Sequence, residues 1–212
     1  IDGERYYLVE KISREPLSEF ALENTEIFRR ADPQYRAFAG ITGYQLYIWY
    51  RDHKYCGRCG HLLEQDGKER MLRCRECGNM VYPKICPAVI IGLTDGSRIL
   101  MSKYAGRNYK KYALLAGFAE IGETLEETVK REVMEEVGLK VKNIRYYKSQ
   151  PWSFSDTLLM GFYCDLDGSD EITLDREELA LAEWFGREEI PVEPSRDSLT
   201  NEMIIKFKNG EV

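Results

Sequence analysis

The chain has 212 residues, 43% hydrophobic and 31% charged, with 36 acidic side chains against 30 basic ones and a net charge of −6. These are the proportions of a globular protein with room for one large domain or two smaller ones. The acidic balance excludes a broad electrostatic footprint on nucleic acid, and no apolar run approaches the ~18 residues that span a bilayer. The sequence starts at Ile1 rather than Met, as a chain lacking an upstream segment would, and shows no secretory pattern. Six cysteines in that setting suit metal binding in the cytoplasm better than disulfides.

Residues 1–52 carry few punctuating signals and read as a short, partly helical lead-in. A short strand is expected over 5–9 and a helix over 17–30. A second helix starts at Asp32-Pro33 and runs toward Asp52, with Tyr44, Leu46, Tyr47 and Trp49 partly buried.

Residues 53–84 are dominated by two Cys-x-x-Cys pairs. Cys56 and Cys59, then Cys74 and Cys77, are separated by fourteen residues, and Gly60 and Gly78 follow the pairs. Four thiolates at this spacing suit tetrahedral Zn²⁺, each pair turning around the metal and each glycine giving the backbone room to close. A closed four-sulfur shell has no open position for a reacting water, so this zinc is expected to hold structure. His53 and His61 are the weaker ligand candidates. Contact with nucleic acid through Arg58, Arg70, Arg73 and Arg75 is an alternative use of such a module, diluted by Glu64, Asp66, Glu69 and Glu76.

Residues 85–212 change to a strand pattern. A β-branched apolar run over 88–93, the Asp95-Gly96 turn and a returning run over 99–104 predict a hairpin. Further strands are expected over 112–115, 143–149, 158–164 and 179–185, and a helix over 197–208. Cys86 and Cys164 are expected to be buried in strands.

The stretch 117–139, GFAEIGETLEETVKREVMEEVGL, predicts another helix. Thr124 and Glu127 form a capping box, Gly138 ends the helix, and Leu125, Val129, Val133 and Val137 recur every fourth residue as an inward stripe. Glu132, Glu135 and Glu136 gather on a face that shades into this stripe, so three carboxylates are expected against the core. Their repulsion costs about 0.2–0.5 kcal/mol per pair, and a hard divalent cation such as Mg²⁺ would relieve it. The bland alternative is a solvated acidic face with Arg131 paired to Glu127 and Glu135. It leaves Gly117, five residues ahead of Glu123, without a purpose. Strands grouped around two helices predict an α+β plan with a mixed sheet between helices.

The ordered residues Gly117, Glu123, Arg131-Glu132-Val133, Glu135-Glu136 and Gly138-Leu139 are identified, at their spacing, as the box of the Nudix hydrolases. Ten residues on, Ser149-Gln150-Pro151-Trp152-Ser153-Phe154-Ser155 resembles the SQPWPFPxS signature of the NADH pyrophosphatases, a Nudix subfamily in which it follows a four-cysteine zinc ribbon. Ser153 and Ser155 stand where the signature has prolines, which bears on discrimination between dinucleotides and not on the hydrolytic chemistry.

The resemblance implies the Nudix fold, an α/β/α sandwich preceded by the ribbon. It implies hydrolysis of the pyrophosphate of NAD(H) to nicotinamide mononucleotide and AMP, and equally removal of an NAD cap from the 5′ end of RNA. Mg²⁺ or Mn²⁺ would be held by Glu132, Glu135, Glu136 and Glu178, with Glu136 or Glu135 as general base. Arg131 would position the glutamates and Glu123 brace the loop. Phe118 and Tyr82 match aromatics that sandwich a base, Gln150 and Trp152 lie in the subfamily signature, and Ser198-Leu199-Thr200 matches a segment lining an adenosine pocket. A homodimer is implied as well. The competing readings are a pyrophosphatase for ADP-ribose or diadenosine polyphosphates, and a zinc-ribbon binding or regulatory protein with an inactive hydrolase domain. The intact Arg131-Glu132 and Glu135-Glu136 speak against the second.

Overall fold

The computed structural model describes residues 3–9, 21–106, 111–195 and 198–212. The chain divides into two compact units, one running to residue 85 and including the turn 153–156, the other formed by residues 86–152 and 157–212.

In the first unit, helix α1 (Gln34–Asp52) takes the place of the expected second helix and buries Ala37, Ala39, Ile41 and Trp49. Leu46 and Tyr47 are half-buried as expected, whereas Tyr44 is 38% exposed. Two expectations for the lead-in are corrected. Residues 4–9 form no strand, and among the described residues no strand pairs with them. In place of a helix over 17–30 there is a single 3-10 turn, Thr25–Arg29, capped by the Asn24 side chain and burying none of its residues. Its Phe28 ring lies against Gly40 of α1, but a longer helix would gain little burial to offset the cost of nucleation. Residues 17–20 lie outside the described residues. Past α1 the chain forms a small antiparallel sheet of β1 (Leu63–Gln65), β2 (Leu72–Cys74) and β3 (Met80–Val81).

The second unit contains β4 (Cys86–Asp95), β5 (Arg98–Tyr104), β6 (Leu115–Phe118), α2 (Leu125–Val137), β7 (Val141–Trp152), β8 (Thr157–Leu166), β9 (Leu179–Gly186) and α3 (Leu199–Lys208). Its sheet runs β7-β8-β4-β5-β9, with β6 also paired to β4. The β4–β8 pair is parallel and the others antiparallel, so the sheet is mixed as expected. Alternation along the strands sends side chains to two cores. Val89, Ile91, Leu93, Leu100, Phe162 and Cys164 meet Val129, Val133 and Val137 of α2. Ile90, Ile99, Met101 and Tyr163 meet Leu199, Met203, Ile204 and Phe207 of α3. This is the sandwich of two helices on a sheet that the sequence pattern predicts.

Two local expectations shift. The strand placed over 112–115 begins instead at Leu115 and runs through Gly117 to Phe118, while Ala113 makes only an isolated bridge to Ser102. Cys164 is buried, but Cys86, at the open start of β4, is only half-buried. Among the described residues, no helix is long and apolar enough to cross a membrane.

Candidate functional site

Helix α2 forms as its sequence dictates. The Thr124 hydroxyl accepts from the Glu127 N–H at 3.2 Å, and the Glu127 carboxylate accepts from the Thr124 N–H at 2.8 Å. Gly138 closes the other end with φ 70°, the left-handed conformation that glycine adopts without strain. With its valines against the sheet, α2 places Glu132 and Glu136 at the edge of the core, 8% and 3% exposed. Glu135 points outward and is exposed, so the expectation of three carboxylates against the core is corrected to two. The helical turn explains this: residue 135 is displaced from the 129–133–137 stripe that faces the sheet, whereas 132 and 136 flank it.

Gly117 explains how a carboxylate fits there. In β6 it pairs with Val89 of β4, and a Cβ built on it would collide with the carboxyl carbon and both oxygens of Glu132. The missing side chain is the cradle of the buried glutamate.

Arg131 holds the arrangement. Its Nε and Nη2 donate to the two oxygens of Glu123 at 2.6 and 3.0 Å, Nη1 donates to Glu132 at 2.8 Å and Glu135 at 2.9 Å, and Nη2 also donates to the Phe118 carbonyl at 2.9 Å. Glu127, occupied by the cap, is not among its partners in these bonds. Glu123 accepts further bonds from the Glu120 N–H at 3.1 Å and the Thr128 hydroxyl at 3.0 Å. Arg131, then the Glu120 N–H and Thr128, hold the Glu123 carboxyl down at about 2. Glu132 behaves oppositely: burial pushes its carboxyl up, Arg131 offsets this only in part, and Glu135 and Glu178 add repulsion. Glu178 is exposed, just ahead of β9, yet within electrostatic reach of Glu132. Nothing in the helical spacing singles out Thr128; its signal is a buried hydroxyl beside an otherwise apolar stripe.

Among the described residues the cysteines alone gather at metal-ligand spacing; Glu132, Glu135 and Glu136 on α2 and Glu178 ahead of β9 are hard oxygen donors that the structure does not draw into one such cluster. Donors of this kind suit Mg²⁺ or Mn²⁺, which take one or two carboxylates and leave positions for water and phosphate.

The four cysteines converge in the first unit, with all four sulfurs within 4.8 Å of one another. The Sγ–Sγ distances of 3.6 Å (Cys56–Cys77), 3.4 Å (Cys59–Cys74) and 3.4 Å (Cys59–Cys77) approach the edge of about 3.8 Å that a tetrahedron of 2.3 Å Zn–S bonds requires. Each pair closes in the same way. The Gly60 N–H bonds the Cys56 carbonyl at 2.8 Å and the Gly78 N–H bonds the Cys74 carbonyl at 3.0 Å, both glycines being left-handed. Backbone and side-chain donors from Arg58 and Asn79 face the Cys56 sulfur, as suits a thiolate. The donor set fits a structural Zn²⁺. His53 is engaged elsewhere, its Nδ1 2.8 Å from the Trp49 carbonyl oxygen.

The other sequence candidates are spread over both units. Phe118 is 53% exposed in the second and Tyr82 54% exposed in the first, where its hydroxyl bonds Glu69 at 3.0 Å. Neither ring is core. Gln150 and half-buried Trp152 lie on the edge strand β7, and the Gln150 side chain accepts from the Leu199 N–H at 2.7 Å, capping α3. Ser198 is the N-cap of that helix, Leu199 is buried in the core, and Thr200 is half-buried.

Comparison with known proteins follows the same division. Residues 51–82 match the NADH pyrophosphatase zinc ribbon domain, and residues 84–205 match the NUDIX domain. A protein named NAD-capped RNA hydrolase NudC from Erwinia tasmaniensis is 41% identical over 162 residues, 76% of this chain and 62% of that protein. One of the same name from Klebsiella pneumoniae is 40% identical over 174 residues, 82% of this chain and 66% of that protein. The chain thus spans just under two thirds of the length of these curated relatives. In fold it resembles the crystal structure of a NUDIX hydrolase from Nitrosomonas europaea, with a TM-score of 0.62 and 24% identity over 74% of this chain and 92% of that one. A domain match covering more than half of the chain, over the very residues that build the sheet, α2 and its glutamates, places the protein in the Nudix family.

Proposed function

We propose that the chain hydrolyses the pyrophosphate bond of NAD(H), giving nicotinamide mononucleotide and AMP, and that it cleaves the same bond in NAD-capped RNA, releasing nicotinamide mononucleotide and leaving a 5′-monophosphate. The observation that carries the reading is Glu132, buried in the Gly117 cradle and fixed by Arg131, which also holds Glu135. The relatives named NAD-capped RNA hydrolase and the ribbon match support the choice of substrate.

A bound Mg²⁺ or Mn²⁺ supplies countercharge to the pyrophosphate and makes a nearby water more acidic. The chain supplies the rest. Glu132, Glu136, Glu135 and Glu178 are the ligands, Arg131 orients Glu132 and Glu135, and Glu123 fixes Arg131. Whichever of Glu136 and Glu135 is left free of metal takes the proton as water adds to phosphorus and the P–O bond to the second phosphate breaks. In the second unit, exposed Phe118 is available to stack on a flat ring, with Gln150, Trp152 and Thr200 as the further proposed substrate contacts; Tyr82, exposed in the first unit, is a stacking candidate for the site of a dimer partner.

The test is a product assay with NADH, NAD, ADP-ribose and diadenosine tetraphosphate, each with Mg²⁺ or Mn²⁺, followed by NAD-capped RNA. Nicotinamide mononucleotide appearing with AMP is the expected result. Cleavage of ADP-ribose or diadenosine tetraphosphate alone would replace the substrate assignment, and Glu135→Gln should remove turnover without changing the circular dichroism spectrum. We further read the residues 1–52, 53–84 and 85–212 as lead-in, ribbon and catalytic parts of a cytoplasmic homodimer. A monomer in sedimentation at micromolar concentration would refute the dimer.

A further inference from the structure

We infer that the segment 167–178 is a positioning strap, docked on the C-terminal end of α2 so that it fixes where the Glu178 carboxylate stands relative to Glu132. The inference rests on the proposed metal site and deepens it.

The last carbonyls of a helix have no partner within it. Here the strap supplies two: the Thr173 N–H donates to the Val137 carbonyl and the Asp175 N–H to the Glu136 carbonyl, each at 2.9 Å. Ile172 and Leu174 pack against the core under α2. The register of the strap is set by Gly138, where a Cβ would come within 2.8 Å of the Thr173 Cβ. Asp175 then builds the turn that presents Glu178. Its side chain accepts from the Glu177 N–H at 2.8 Å, its carbonyl accepts from the Leu179 N–H at 2.9 Å, and the Glu178 carbonyl is held by the Ala105 N–H at 2.8 Å. Farther back, Asp170 is clipped by Arg98 at 2.9 Å and its carbonyl accepts from the Trp184 indole N–H at 3.3 Å. Glu136 therefore gives its side chain to the site and its carbonyl to the strap, so the two ends of the donor set share one anchor.

The test is Mn²⁺ binding by the full chain without substrate, read from the free-ion signal in electron paramagnetic resonance, together with turnover. Asp175→Ala removes the acceptor for Glu177, whereas Asp175→Asn keeps an oxygen there and removes only charge. Expected is Mn²⁺ affinity about tenfold weaker for Asp175→Ala, the low end for loss of a group that orients a ligand, and near wild type for Asp175→Asn. Gly138→Asn tolerates the left-handed backbone but brings its Cβ onto Thr173; it should weaken Mn²⁺ similarly, and Gly138→Asn/Thr173→Gly should restore it. Equal weakening by Asp175→Ala and Asp175→Asn, or wild-type Mn²⁺ affinity in Asp175→Ala, would overturn the strap. Glu178→Gln separates the two levels. If it too leaves Mn²⁺ binding unchanged, the ligand assignment falls and the strap with it; if it weakens binding while Asp175→Ala does not, only the strap falls.

Discussion

The buried glutamate and the glycine beneath it form one unit, and neither residue explains itself alone. Because a Cβ at residue 117 would overlap the Glu132 carboxyl, Gly117→Ala must push that carboxylate out of its cradle or tilt β6 away from β4. We expect it to cost turnover and Mn²⁺ affinity by at least about tenfold, with the far-ultraviolet spectrum retained; full activity would show that Glu132 does not need its position. The Glu123–Arg131 brace makes a separate prediction. A carboxyl held at about 2 in the fold, against its ordinary 4.5, adds stability that is complete above the ordinary value and is lost as pH falls toward 2. Glu123→Gln should therefore lower the melting temperature at pH 7 and narrow its gap to the parent between pH 5 and pH 2. A constant gap would place the effect in packing. Much of this was legible from spacing, since Glu132, Glu136 and Arg131 announce themselves along one helix. The pairing of Gly117 with Glu132 was not, because it joins a strand to a helix and depends on how closely the two approach.

At the level of elements, α2 carries its own start and stop signals and the structure obeys both. Thr124→Ala removes the acceptor for the Glu127 N–H and one partner of its carboxylate, and should destabilise the second unit by about 1 kcal/mol, read as a lower urea midpoint at unchanged slope. A null result would mean that α2 is held wholly by its valines. The hairpin at Asp95-Gly96 and the helix reaching Lys208 were equally readable, since turn chemistry and apolar period agree there. Where signals were local but little of the segment became buried, the expectation failed, as at the 3-10 turn Thr25–Arg29, none of whose residues is fully buried. The displacement of β6 has the opposite cause. The expected strand stops at Leu115, and pairing of Ala116, Gly117 and Phe118 with β4 is what carries it on.

Across the whole chain the two units draw on different sources of stability. Both apolar cores around the larger sheet are composed entirely of residues between 89 and 207. The three short strands of the ribbon have little comparable burial beyond Met71, Leu72 and the cysteines Cys56 and Cys74, so zinc coordination must supply much of what holds them. Stripping the metal with a mercurial and a chelator should release one zinc per chain. In hydrogen exchange it should then abolish amide protection across residues 54–82, including the bonds from the Gly60 and Gly78 N–H groups, while β4, β8 and α2 keep theirs. Cys59→Ser should reproduce the effect without any reagent, because it removes a sulfur that lies 3.4 Å from both Cys74 and Cys77. Loss of protection in β4 and β8 together with the ribbon would refute the separation and show that zinc supports the larger sheet as well. Protection that survives throughout would mean that the cysteine-rich unit folds without its metal, leaving the four sulfurs to be explained by something other than stability.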